Sequence, residues 1–232
     1  MSVTVPGDNA ACCTIPPAVS DYVPKGVTEV IEGTPTYVIG DKSFKNAIVV
    51  TPDVFGTGCD LLASQGFYVL LPDLLGDQAL TAEDIPRFGE LREKFFAGIG
   101  NPMVHLPLFT KLGESLKSDG FSVGSIGFCW GAKIAILAGA TGLYSAVALV
   151  HPASMLTPEE AENCKAAIGV YQTKDESTEV LEPFIKKAAD YKHYTETFHG
   201  FAAGRANLQD PVHKAAYEDV YRRLGAFFRK NL

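Results

Sequence analysis

Residues 121–132 read Phe-Ser-Val-Gly-Ser-Ile-Gly-Phe-Cys-Trp-Gly-Ala, and this stretch decides the fold. The apolar run 121–126 predicts a buried strand, and the Ala-, Ile- and Leu-rich run 132–140 predicts a helix. Residues 127–131 therefore form a strand-to-helix turn of the pattern Gly-x-nucleophile-x-Gly, in which the two glycines let the strand and the helix approach closely. We expect Cys129, the central residue, to have a strained backbone and to project at the edge of the sheet.

The position of Cys129 suits a nucleophile. A thiol there lies at the positive end of the following helix, which favours the thiolate. The backbone N–H of Trp130 points to where an oxyanion would develop. A buried cysteine on a glycine-rich turn is the alternative interpretation, and the flanking strand and helix favour the catalytic one.

The composition indicates one globular domain. The chain has 232 residues, of which 47% are hydrophobic and 20% are charged. A net charge of −7 without a basic stripe argues against a nucleic-acid partner. No apolar run approaches the roughly 20 residues that span a bilayer, and residues 1–10 do not resemble a secretory signal. We expect neither a nucleic-acid nor a membrane partner, and the oligomeric state stays open.

The five cysteines are an odd number, and Cys12 and Cys13 are adjacent, which is not the pattern of a secreted disulfide framework. We therefore expect a reducing compartment, the cytoplasm. Cys12 and Cys13 lack the spaced Cys or His partners of a metal site, so no metal is predicted.

Strands and helices alternate along most of the chain. Residues 1–26 are rich in proline and predict an irregular segment, whereas residues 27–31 and 36–39 predict an antiparallel pair at a sheet edge. Further strands are predicted at 47–51, 68–71, 121–126, 146–150, 167–171 and 194–198, and helices at 59–65, 86–96, 104–118, 132–140, 179–191 and 211–229. This alternation predicts a single α/β domain over residues 27–232, with a mostly parallel sheet and helices on both faces.

Three side chains that follow predicted strands form a chemical set: Cys129, Asp175 and His199. Ligands of an open α/β sheet bind beyond the carboxyl ends of the strands. The order nucleophile, acid, histidine is the order of the triad in an α/β-hydrolase sheet. We expect His199 to take the proton of Cys129, and Asp175 to hold the imidazole in the required tautomer.

The choice of acid is open at this point, because Glu176 and Glu179 lie close to Asp175 in the sequence. Any of the three could instead be a solvated acid at the start of a helix. Asp175 is preferred because it is the first acid after the strand.

Two further strand ends contribute candidates. Residues 51–56, Thr-Pro-Asp-Val-Phe-Gly, offer the N–H of Val54 as a second oxyanion donor. Asp53 in the same segment could hold the thiol of Cys129 or could only cap a helix. His151 ends a strand on the same side of the sheet and could line the pocket.

These motifs together resemble the dienelactone hydrolase family, also called carboxymethylenebutenolidases. The matching residues are 51–56, Leu-Pro-Asp-Leu at 71–74, Gly-Phe-Cys-Trp-Gly at 127–131, Asp175 and His-Gly-Phe at 199–201. The resemblance extends from about residue 27 to the C-terminus and is closest to the fungal branch, which similarly carries a Cys-Cys pair and a His-Pro segment. It implies an α/β-hydrolase fold and a cysteine hydrolase of lactones or small esters that forms an acyl-enzyme and uses no metal or organic cofactor.

The resemblance also implies roles for individual residues. Cys129, Asp175 and His199 would be the triad, and the amides of Trp130 and Val54 would form the oxyanion hole. The substrate pocket would include Asp53, Phe55, His151, Phe201 and Arg205. Asp53 falls where bacterial members have a glutamate that pairs with the thiol, and it is one methylene shorter.

The expected substrate differs from that of the bacterial members, which hold a carboxylate with two arginines. At the position of the first of these arginines this chain has Gly76-Asp77, whereas Arg205 follows the histidine as the second one does. An anionic dienelactone should therefore bind less well. The same change motivates an alternative function, a scaffold that binds a small molecule without turnover. A second alternative is a redox-sensing thiol, because a reactive cysteine oxidises readily.

Overall fold

The computed structural model describes residues 22–52, 58–79, 81, 83–84, 87–153 and 155–232. Eight strands in this part of the chain form one sheet. They are β1 Val27–Ile31, β2 Thr34–Ile39, β3 Asn46–Thr51, β4 Tyr68–Pro72, β5 Ser122–Phe128, β6 Ala146–Val150, β7 Ala167–Thr173 and β8 Ala188–Tyr194. The spatial order is β1-β2-β4-β3-β5-β6-β7-β8.

Helices connect the strands. They are α1 Cys59–Ala63, α2 Phe88–Ala97, α3 Leu106–Ser118, α4 Gly131–Ala140, α5 Pro158–Asn163, α6 Thr178–Lys187 and α7 Pro211–Asn231, with 3-10 turns at Gly76–Gln78 and Pro102–Val104. None of the helices in the described residues has both the length and the apolar character needed to cross a membrane.

The sheet is antiparallel only at one side, where β1 pairs with β2 and β2 pairs with β4. All other neighbours are parallel. The β1–β2 connection is a tight turn in which Glu32 and Gly33 both have positive φ angles, as a two-residue hairpin requires. The predicted α/β fold with a mostly parallel sheet is confirmed.

Helices cover both faces of the sheet, and the residues of β3 show how. Val49 faces the cluster that contains Phe109 of α3, whereas its neighbour Ile48 faces the cluster that contains Val220 of α7. Successive side chains of a strand point to opposite faces, so a strand covered on both faces must be apolar throughout. The continuous apolar run of β3 is therefore explained by its central place in the sheet.

The last strand differs from the prediction. A strand was expected at 194–198 after a helix at 179–191, but α6 ends at Lys187 and β8 ends at Tyr194. Among the described strands β8 is at the edge of the sheet and pairs with β7, and most of its residues are partly or fully exposed. Pairing with β7 overrides the weak local preference of this polar segment. His199 consequently lies in a loop five residues beyond the strand.

The short helix α5 has no counterpart in the prediction. Thr157 and Glu160 form a reciprocal capping box at its start. The spacing Thr-x-x-Glu before Ala161 is the sequence signal that identifies such a helix.

Candidate active site

The turn between β5 and α4 holds Cys129 in a left-handed conformation, with φ of 54°. The two glycines of the turn are required by close packing. A Cβ atom on Gly127 would lie 2.1 Å from the carbonyl oxygen of Gly131, and one on Gly131 would lie 2.6 Å from Cγ2 of Thr51. A positive φ at a residue other than glycine is strained and is found at functional sites. The strained central residue expected from the sequence is therefore present.

Backbone hydrogen bonds fix the turn to the end of β6. The N–H of Cys129 donates to the carbonyl oxygen of Val150 at 3.0 Å, and the carbonyl oxygen of Cys129 accepts from the N–H of Ala153 at 3.0 Å. Trp130 is the N-cap residue of α4. The first N–H groups of a helix have no partner within the helix and carry its positive dipole end. They can therefore stabilise negative charge beside Cys129.

The imidazole of His199 is fully buried and bonds to Glu176. Its Nδ1 donates to Oε1 of Glu176 at 2.7 Å, and the Glu176 side chain is 3% exposed. Oε2 of the same carboxylate accepts from the backbone N–H and from Oγ1 of Thr173. A carboxylate held in this way has a fixed orientation toward the ring.

Asp175, the acid preferred from the sequence, has a different contact. Its Oδ2 accepts from the backbone N–H of His199 at 2.8 Å, and the residue is exposed. The hydrogen bond to the ring is made by Glu176, which corrects the expected pairing of Asp175 with the imidazole. The reason is the turn after β7, which buries the second acid under the loop that carries His199.

The contact with Glu176 decides the tautomer of His199. An ionised carboxylate only accepts hydrogen bonds, so Nδ1 carries the proton. In the neutral ring Nε2 is then the nitrogen without a proton, which can act as a base. This is the tautomer expected from the sequence, but Glu176 makes the contact instead of Asp175.

His151 lies directly after β6 and packs against the histidine. Its ring centroid is 4.9 Å from that of His199, in an edge-to-face arrangement. Phe128 and Phe201 lie on other sides of the same ring, at 5.8 and 5.9 Å. Burial lowers the pKa of His151 well below the usual value, and His199 and Arg205 act in the same direction, whereas a hydrogen bond with the residue's own backbone acts in the opposite one. The ring of His151 is therefore neutral.

The turn after His199 brings two further candidates into the interior, Phe201 and Arg205. Both are almost fully buried. Gly200 has a positive φ of 95°, and a Cβ atom there would lie 3.1 Å from Cδ and from a terminal nitrogen of Arg205. The guanidinium thus folds back against the loop of His199 instead of extending into solvent.

The family follows from a comparison with known proteins. The model of the dienelactone hydrolase family matches residues 34–232. The chain belongs to the dienelactone hydrolase family.

The relatives of this dienelactone hydrolase family member include fungal proteins. Two uncharacterised AIM2 family proteins of Schizosaccharomyces pombe are 28% and 30% identical to it. The matches cover 85% and 86% of this chain, and 87% and 89% of the two relatives. The expected similarity to fungal members is confirmed.

A solved structure shows the same fold. The dienelactone hydrolase from Anabaena variabilis has a TM-score of 0.61 and 15% identity, over 89% of this chain and 97% of that one. The fold is the α/β-hydrolase fold, as predicted.

Some predicted residues lie outside the described part of the chain. They are Cys12, Cys13, Asp53, Val54 and Phe55. The second oxyanion donor and the partner of the thiol consequently stay predictions. In the ranges that the structure describes, no group of three or more His, Cys, Asp or Glu side chains is arranged to hold a metal ion.

The surroundings of Trp130 have no counterpart in the sequence prediction. The indole Nε1 donates to the carbonyl oxygen of Gly100 at 2.6 Å, and His105 lies edge-on against the ring at 5.4 Å. His105 in turn bonds through Nε2 to the carbonyl oxygen of Ile99 at 2.7 Å. The segment before α3 is thereby fixed beside the turn of Cys129. No local pattern signals this contact, because it joins residues 30 positions apart.

Proposed function

We propose that this protein hydrolyses small carboxylic esters or lactones through a thioester on Cys129. His199 is the general base and Glu176 is the acid that orients it. Asp175 holds the backbone of the histidine loop. The observation that carries the proposal is the buried Glu176–His199 pair, together with the strained Cys129 at the end of β5 in the same sheet.

In the first half of the reaction, Nε2 of His199 takes the proton from Sγ of Cys129. The thiolate attacks the ester carbonyl carbon, and the carbonyl π electrons move to oxygen. The N–H of Trp130 and the positive end of α4 stabilise the resulting oxyanion. The intermediate collapses as the carbon–oxygen bond to the alcohol breaks, and His199 donates its proton to the leaving oxygen.

In the second half, water attacks the thioester. His199 removes one proton from the water, and a second oxyanion forms at the same place. Breaking the carbon–sulfur bond releases the carboxylic acid, and the proton returns from His199 to sulfur. Glu176 stabilises the imidazolium in both halves and stays ionised.

The experiment compares the wild type with Cys129→Ala on 4-nitrophenyl acetate and on dienelactone at neutral pH. Cys164→Ala is the matched control, because burial raises the pKa of the Cys164 thiol and makes it a poor nucleophile. We expect turnover at background in the Cys129 variant and wild-type turnover in the control. Mass spectrometry of quenched wild-type enzyme should find one acetyl group on the peptide that contains Cys129.

Undiminished turnover in Cys129→Ala, or an acetyl group on another residue, would refute the proposal. Tight ligand binding without any product in the wild type would instead support the non-catalytic scaffold. We expect dienelactone to be a poorer substrate than the uncharged ester. The carboxylate-binding arginine is replaced by Asp77, which is exposed in the 3-10 turn after β4.

A further inference from the structure

His151 is held in an unfavourable backbone conformation. Its φ is 35°, in the left-handed region that residues other than glycine seldom adopt. Its N–H donates to the carbonyl oxygen of Tyr171 at 2.8 Å, which fixes the residue at the end of β6. Such strain persists only where the surrounding structure enforces it. The conformation turns the chain sharply just where β6 ends.

The ring nitrogens of His151 have no partner on another residue. The side chain is fully buried, and apart from a contact with the residue's own backbone neither Nδ1 nor Nε2 is hydrogen-bonded to any residue that the structure describes. By contrast, the buried His105 bonds to a carbonyl oxygen and His199 bonds to Glu176. An unpaired buried polar group is costly, so it normally has a partner.

The position of His151 beside Cys129 and His199 indicates that the missing partner belongs to the substrate. Its ring packs on the ring of His199, and the residue before it, Val150, accepts the backbone N–H of Cys129. Cys129 and His199, which a substrate of the proposed reaction would meet, are therefore both close neighbours of His151. Phe128 and Phe201 also pack against the ring and offer no hydrogen bonds.

We propose that His151 binds a hydroxyl group of the substrate close to the ester carbonyl, so that the preferred substrates are uncharged hydroxy esters or hydroxy lactones. This inference rests on the proposed hydrolase function.

The chemistry of the imidazole selects the hydroxyl group. The neutral ring has one donor and one acceptor nitrogen, and a hydroxyl group can both donate and accept. A hydroxyl therefore pairs with either tautomer, whereas a carboxylate only accepts and can use the donor nitrogen alone. If the ring only filled space, phenylalanine could replace it. Replacing His151 with phenylalanine therefore keeps the packing of the ring and removes its hydrogen bonds.

The test uses three ethyl esters whose acid release is followed by titration at constant pH. They are ethyl butyrate, ethyl 3-hydroxybutyrate and monoethyl succinate. The variants are His151→Phe, which keeps a ring of similar size, and His151→Asn, which keeps a donor and an acceptor and tolerates a positive φ. Cys129→Ala provides the background. The readout is the ratio of kcat/KM for the hydroxy ester to that for the plain ester.

We expect the wild type to prefer ethyl 3-hydroxybutyrate over ethyl butyrate by about tenfold, the effect of one hydrogen bond in a dry site. The ratio should fall to about one in His151→Phe and recover in part in His151→Asn. A purely structural role would lower both rates equally and leave the ratio unchanged.

Three results would overturn the inference. They are an unchanged ratio in His151→Phe, a wild type without the hydroxyl preference, and a wild type that prefers monoethyl succinate. The wild-type ratio decides the matter even if the Phe variant does not fold. Hydrolysis of the plain ester through Cys129 without a hydroxyl preference refutes this inference alone. Turnover of none of the esters refutes the proposed function and the inference together.

Discussion

The substitution Glu176→Gln tests which acid controls the histidine. Glutamine has the same shape, so its carbonyl oxygen can accept the two hydrogen bonds from Thr173 that the carboxylate accepts now. Its NH₂ group then occupies the position 2.7 Å from Nδ1 of His199. Two donors would face each other, and Nδ1 must lose its proton. The proton moves to Nε2, which is then no longer a base.

The expected loss of kcat/KM in Glu176→Gln lies between two limits. Losing a charge-assisted hydrogen bond costs about 1.5–3 kcal/mol, which is about 10- to 100-fold in rate. A tautomer locked in the wrong state costs about 10⁴-fold in a comparable triad. We therefore expect kcat/KM of Glu176→Gln to fall by about 10²- to 10⁴-fold.

Asp175→Asn is the matched control. The side chain is exposed, and the amide oxygen of asparagine can still accept the backbone N–H of His199. Its loss should stay within about threefold, because one hydrogen bond is kept. The assay is single-turnover acylation with 4-nitrophenyl acetate, and thermal denaturation checks folding. A larger loss in Asp175→Asn than in Glu176→Gln would refute the assignment.

Two further predictions concern stability. Gly131→Ala should lower the free energy of unfolding by about 1–3 kcal/mol, because the added methyl group clashes with Thr51. The control Gly89→Ala lies in helix α2 with open space around it and should be neutral or stabilising. Urea denaturation of both variants measures the difference. Asp60 is half-buried, which raises its pKa, but hydrogen bonds from Tyr22, Tyr37 and the N–H of Lys25 outweigh burial and hold that pKa below its usual value. The carboxylate therefore stabilises the fold above the unfolded pKa of about 4, and this stabilisation is lost as pH falls through the lowered pKa of the folded state. On acidification the free energy of unfolding should therefore drop less in Asp60→Asn than in the wild type. An equal drop in both proteins would contradict this prediction.

The sequence was sufficient for the architecture because its signals are local. β6 is predicted to the residue, and β3 and β5 within two residues of each end, since buried strands are continuous apolar runs. β8 was misplaced because an edge strand has no such run. Its pairing with β7 depends on a neighbour distant in sequence, which periodicity does not reveal.

The candidate site was predictable to the level of strand ends but not of side-chain contacts. Cys129 and His199 follow from their motifs. Asp175 and Glu176 are adjacent acids, and the choice between them depends on which one the turn after β7 buries. Only the folded chain shows that Thr173 holds the buried carboxylate. The same limit applies to His151, because only the packing shows that its ring has no hydrogen bond to another described residue.

The two strained residues explain how the site is kept in place. Cys129 and His151 have positive φ angles at the ends of the neighbouring strands β5 and β6. Each is fixed by a backbone hydrogen bond to the next strand along, through Val150 and Tyr171. The strain of about 1–3 kcal/mol at each residue is therefore carried by the parallel sheet, whose central strands are buried on both faces. In the proposed reaction the residues that hold the backbone, Val150 and Tyr171, are therefore not the ones that we propose meet the substrate.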